Sequence, residues 1–108
     1  MTLDADTLQA AATRAAQAAS GAARVLVFGS YARGDAGEDS DLDLIVIEPH
    51  IADKADEYLS IRSAIGRLGI GVDVLLFSEE EFSRRSQVPG TVPYWASREG
   101  KVLYERRA

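Results

Sequence analysis

Three short apolar runs constrain this chain most: residues 24–29 (RVLVFG), 42–47 (LDLIVI) and 71–77 (GVDVLLF). Each is too short for a buried helix and rich in valine, isoleucine and leucine, which predicts buried strands. Two of them carry an aspartate among their apolar residues, Asp43 and Asp73. The segment from Asp35 to Asp43 holds five carboxylates, Asp35, Glu38, Asp39, Asp41 and Asp43, and no lysine or arginine. A folded protein that sets this much negative charge beside buried strands needs positive charge from somewhere.

Helical patterns surround the strands. The stretch DTLQAAATRAAQAAS is rich in alanine, with Asp6 as its N-cap and Ser20-Gly21 as its stop. Residues 52–68 space Ala55, Tyr58, Leu59, Ile65 and Leu68 helically, and Gly69 closes that run. Ser78 followed by Glu79, Glu80 and Glu81 reads as a capping box that opens a short helix. Beyond the prolines and glycine near residue 90 come a helical turn or two and a short strand at residues 102–104. The order α-β-(acidic loop)-β-α-β-α-α-β predicts an α+β fold. It should be a twisted mixed sheet with helices mainly on one face and the acidic site on the exposed face or edge.

At 108 residues the expected organisation is one domain, residues 1–108. No apolar run is long enough to cross a membrane, the acidic N-terminus lacks a signal-peptide pattern, and there is no cysteine. These features predict a cytoplasmic protein without thiol chemistry. A net charge of −5 argues against direct nucleic-acid binding. From Arg84 onward, however, the balance is about +4, which leaves about −9 on the rest. The segment from Val92 to Arg107 is therefore a candidate contact for a partner.

Asp41 and Asp43 stand two apart on a strand, so they point the same way with Cα atoms about 6.6 Å apart. If the second and third strands are neighbours, Asp73 joins them. Three such carboxylates suit magnesium, a hard cation that takes oxygen ligands and shares its shell with substrate phosphates. Gly29-Ser30 at the first strand's end can bring backbone N–H groups and a hydroxyl to a terminal phosphate, and Arg33 can add charge. Asp39 and Ser40 shape the turn, Asp35 and Glu38 read as loop surface, and Arg33 is equally suited to bracing that loop. His50 reads as surface, which leaves no histidine base, and Tyr94 and Trp95 read as core or interface anchors.

Gly29-Ser30, ten residues, Asp41-Leu42-Asp43 and a later strand aspartate, Asp73, resemble the signature of the nucleotidyltransferase superfamily with a DNA polymerase β-like palm. The wording GSYARGDAGEDSDLDLIV and the ending REGKVLYE resemble the minimal nucleotidyltransferases, which are often encoded beside a HEPN-domain partner. The resemblance implies that Gly29 and Ser30 bind the triphosphate of ATP. It implies that Asp41 and Asp43 hold two Mg2+ ions and that Asp73 ligates the catalytic metal and helps activate the attacking hydroxyl. The implied activity is AMP transfer from ATP to a tyrosine of a HEPN toxin, in the role of an antitoxin. Two alternatives stand beside it: an antitoxin that neutralises by binding alone, and a transferase acting on a small molecule such as an antibiotic. Larger relatives carry a further acceptor-binding domain, so here the acceptor surface should come from the toxin in a hetero-oligomer or from a second copy in a homo-oligomer.

Overall fold

The computed structural model describes residues 2–19, 21–22 and 24–106. Ser20 of the expected helix stop and Arg107 of the basic C-terminal segment lie outside the described residues. Along the chain come α1 (Ala5–Ala18), β1 (Arg24–Phe28), α2 (Ser30–Arg33), β2 (Leu42–Glu48), α3 (Lys54–Ile65), β3 (Val72–Ser78), α4 (Glu79–Arg85), α5 (Val92–Glu99) and β4 (Lys101–Glu105). The strands form one mixed sheet in the order β3-β2-β1-β4, with β2 and β3 parallel and the other pairs antiparallel. The expected α+β fold is the observed one, with a one-turn helix, α2, added after the glycine that stops β1.

Side chains alternate across each strand, and this alternation divides the core into two layers. Val25, Val27, Leu44, Val46, Val74 and Leu76 pack against α1 and α3. Helix α1 presents Ala11, Ala12, Ala15 and Ala16 to this layer, and such small side chains let it lie close to its neighbours. Arg14 ties the two helices together by donating Nε to Ala64 O and Nη2 to Ile65 O, both at 3.1 Å. Those carbonyls are at the C-terminal end of α3, where helix geometry leaves them without intrahelical donors. On the other face Leu26, Ile45, Ile47 and Phe77 meet Phe82 of α4 and Ala96 of α5. The two long helices thus share one face. The two short ones cover part of the other, and Asp43 and Asp73 belong by alternation to that second face.

Two helix boundaries differ from expectation. Asp4, not Asp6, caps α1: Thr7 N–H donates to its carboxylate at 2.7 Å, which holds Asp4 below the usual carboxylate range. Asp6 lies in the first turn. Helix α3 ends at Ile65, and Gly66 with φ of 72° is its C-cap, three residues before the expected stop at Gly69. Leu68 packs against the core from the loop that follows, so its helical spacing from Ile65 is a coincidence of tertiary packing. The Ser78 cap is as expected, with Glu81 N–H donating to Ser78 Oγ at 3.1 Å.

Glu48 is a buried acid that sequence pattern did not reveal. It ends β2 with no exposure to solvent. Burial first, then hydrogen bonding and charge from Glu57, push its carboxyl up to about 7 from an ordinary 4.5. The folded state therefore holds a proton that the unfolded chain releases from pH 4.5 upward. Its favourable term is present at low pH and is lost as pH rises to about 7, by about 3 kcal/mol in all. Chemical denaturation from pH 4.5 to 8 should show wild-type stability falling by this additional amount relative to Glu48→Gln. Parallel profiles for the two proteins would contradict it.

Candidate active site

The antiparallel pairing of β1 with β2 brings the end of one strand to the start of the other, so Phe28 lies opposite Asp43. The parallel pairing of β2 with β3 then sets Asp43 directly opposite Asp73. The condition that the second and third strands be neighbours is met. Asp43 is half-buried and Asp73 is exposed. Burial, the charge of Asp73, a hydrogen bond with Asp73 and the charge of Asp41 raise the Asp43 carboxyl above its ordinary range, and Arg33 partly opposes them.

Gly29 makes this arrangement possible. It turns the chain out of β1 with φ of 76° as the N-cap of α2. A Cβ atom at this position would lie 2.6 Å from Asp43 Oδ2, so only glycine leaves room for the carboxylate. Ala32 and Arg33 both donate their N–H groups to Gly29 O at 3.0 Å, which closes the single turn of α2. Ser30 is its first residue. Tyr31 holds this turn to the N-terminal segment by accepting from Leu3 N–H at 3.1 Å.

Asp41 does not sit on the strand as expected. Strand β2 begins one residue later, at Leu42, whose N–H donates to Gly71 O at 2.9 Å. Asp41 is exposed, and its carboxylate leans against Gly71, where a Cβ would lie 2.4 Å from Oδ1. Gly71 is a second glycine against which an acid of the site rests, and sequence pattern alone did not single it out. Arg33 reaches Asp35, with Nε 3.3 Å from Oδ2, so its guanidinium braces the acidic loop. Ser40 shapes the turn as expected by accepting from Gly37 N–H at 2.9 Å.

Asp43 and Asp73 form a close carboxylate pair with Asp41 beside them. Among the described residues no three acids, histidines or cysteines are gathered tightly enough to enclose a metal on their own. The donor set nevertheless fits a hard divalent cation. It consists of carboxylate oxygens, with Asp73 and Asp41 raising the proton affinity of Asp43, and Arg33, whose charge partly opposes them, is engaged by Asp35. Such a pair leaves the rest of the ion's shell to water and to substrate oxygens.

The remaining candidates sit elsewhere. His50 is exposed beyond the far end of β2. Tyr94 and Trp95 meet edge-to-face at 5.1 Å, Arg98 lies 3.7 Å over the Tyr94 ring, and Trp95 is exposed. Arg84 and Arg85 of the basic segment pair with Glu80 and Glu81 one turn earlier, giving a mixed-charge surface.

Comparison with known proteins agrees with this geometry. Residues 11–99 match the nucleotidyltransferase domain family. The chain is 28% identical over 81 residues to the Methanocaldococcus jannaschii protein named “Putative protein adenylyltransferase MJ0604”, covering 75% of this chain and 77% of that protein. The fold is similar to a “putative nucleotidyltransferase” from Sulfolobus solfataricus, with a TM-score of 0.62, 22% identity and coverage of 94% of this chain and 79% of the other. It is also similar to a structure described as a toxin-antitoxin with AMP-PNP, with a TM-score of 0.67, 18% identity and coverage of 97% and 76%. With most of its length inside the family match, and with glycine, paired aspartates and mixed sheet in this arrangement, the chain belongs to the nucleotidyltransferase domain family.

Proposed function

We propose that this protein transfers AMP from ATP to a hydroxyl of a partner protein, a tyrosine of a HEPN-domain toxin, and so acts as its antitoxin. The observation that carries this reading is the Asp43–Asp73 pair set against the Gly29 turn. The name of the Methanocaldococcus jannaschii relative and the nucleotide-bearing toxin-antitoxin structure of similar fold support the choice of acceptor and donor.

In this reading the Gly29-Ser30 turn receives the triphosphate of ATP, with Ser30 offering its hydroxyl. Asp41, Asp43 and Asp73 hold two magnesium ions, which supply the positive charge that the triphosphate and the carboxylates both need. Asp73, the most open of the pair, accepts the proton of the incoming hydroxyl. The acceptor oxygen bonds to the α-phosphorus, the bond from that phosphorus to the bridging oxygen breaks, and pyrophosphate leaves. Positioning and charge neutralisation carry the rate, because the protein forms no covalent intermediate.

Mass spectrometry of a HEPN-domain partner, after incubation with this protein, ATP and magnesium, should show added AMP. Asp43→Asn should reduce transfer by about a hundred-fold or more. Its thermal stability should be unchanged or raised, because it removes a half-buried charge that repels Asp73. Full neutralisation of the toxin by Asp43→Asn without added mass would favour an antitoxin that works by binding alone. Turnover of a small hydroxylated acceptor without any partner would favour the third reading. Chelation of magnesium with EDTA should stop transfer while far-UV circular dichroism stays constant, and transfer that persists without divalent cation would contradict the metal assignment. Gly29→Ala should cost about 1–2 kcal/mol of stability and displace Asp43, weakening ATP binding in magnesium by calorimetry.

A further inference from the structure

A hollow of about 750 Å³ is not over the carboxylates. It lies along the outer edge of β3, the strand that carries Asp73. Its floor includes Val74 and Leu76, which face the α3 side, and Leu75 and Phe77, which face the α5 side. Tyr58 and Leu59 of α3 form one wall, and Val92 and Pro93 at the start of α5 form the other. The hollow therefore wraps a strand edge between two helical layers, and it is apolar on both sides.

The backbone along this edge is open. Leu42 N–H donates to Gly71 O, and the parallel ladder continues from Leu42 opposite Val72 to Glu48 opposite Ser78. A parallel ladder uses alternate residues, so Asp73, Leu75 and Phe77 bond to β2, while Val74 and Leu76 turn their N–H and C=O groups outward. On the other edge strand, β4, Gln9 Nε2 donates to Leu103 O at 2.7 Å.

We propose that the β3 slot receives an extended segment of the acceptor polypeptide as a fifth strand, which leads its hydroxyl-bearing residue to Asp73. The acceptor role rests on the function proposed above, whereas the slot itself does not. Main-chain groups of Val74 and Leu76 pair with the incoming strand, and both walls bury its apolar side chains. At the Phe77 end, Lys54 and Arg85 lie 3.4 and 3.6 Å from the one carboxylate of Glu81, which leaves a positive charge for an acidic residue of the segment. At the other end, two residues along the strand from Leu75, or about 6.6 Å, bring the chain to Asp73. A second copy paired antiparallel across Leu75 is disfavoured, because it would lay Asp73 against Phe77 of the copy and bury a carboxylate on an aromatic ring.

The test selects random dodecapeptides displayed on phage against the wild-type protein, with neither ATP nor magnesium present. Enriched sequences should carry a continuous apolar run with an acid at one end. The matching synthetic peptides should slow amide exchange at Val74 and Leu76. Their binding should weaken about ten-fold or more in Leu59→Asp, an exposed position, and in Leu75→Glu, and stay unchanged in Asp43→Asn. Three results would overturn the proposal: no enrichment, peptides that bind the two slot variants as well as wild type, or a chain that doubles its mass alone with its β3 amides protected. Peptide binding to the slot, together with no AMP transfer to the HEPN partner when ATP and magnesium are supplied, would refute the proposed chemistry and leave the slot in place.

Discussion

Like-charge pairing of Asp43 with Asp73 across two parallel strands is the constraint on which the rest of this structure turns. Directly opposed carboxylates on neighbouring strands destabilise a sheet unless something else holds them. Here the apolar residues on either side of each aspartate do so. Leu42 and Leu44 bury themselves against α1 and α3, and Val74 does the same on the adjacent strand. That packing fixes the register, and the register leaves the two acids nowhere to go but toward each other. A dedicated protein cation could have relieved the pair, but Arg33 is held at Asp35. The fold therefore uses its hydrophobic core to hold two acids together.

Two glycines complete this design at the backbone level. Gly29 and Gly71 each lie where a Cβ would strike a carboxylate oxygen, of Asp43 and Asp41 respectively. One side of each acidic side chain thus rests on backbone. The positive φ of Gly29 also turns the chain into α2, so one residue both makes room for the acid and starts the turn that presents Ser30. Strand pairing, tight turn and open carboxylates are three aspects of one local solution.

Much of this was legible in the sequence because charge inside an apolar run is informative. Asp43 and Asp73 each interrupt buried strands, and a burial pattern explains their neighbours but not them. What was not legible depended on distant contacts. Two glycines compete to end α3, and only packing decides that Gly66 wins and that Leu68 reaches the core from a loop. Glu48 reads as an ordinary strand-end acid until α3 covers it and sets Glu57 nearby. The slot beside β3 is assembled from α3, β3 and the start of α5, and no local pattern marks it. Arg33 was open to two readings, and the short distance to Asp35 shows the bracing one at work in the folded chain.

The central claim is that the Asp43–Asp73 pair is completed by a divalent cation shared with a nucleotide. The most direct measurement is electron paramagnetic resonance of Mn2+ added to the protein with a non-hydrolysable ATP analogue. The account predicts that wild type binds Mn2+ more tightly than the analogue alone does, and that Asp43→Asn and Asp73→Asn each lose that increment while remaining folded. Equal Mn2+ binding by wild type and both variants would contradict it, and would leave the paired carboxylates without the partner their geometry calls for.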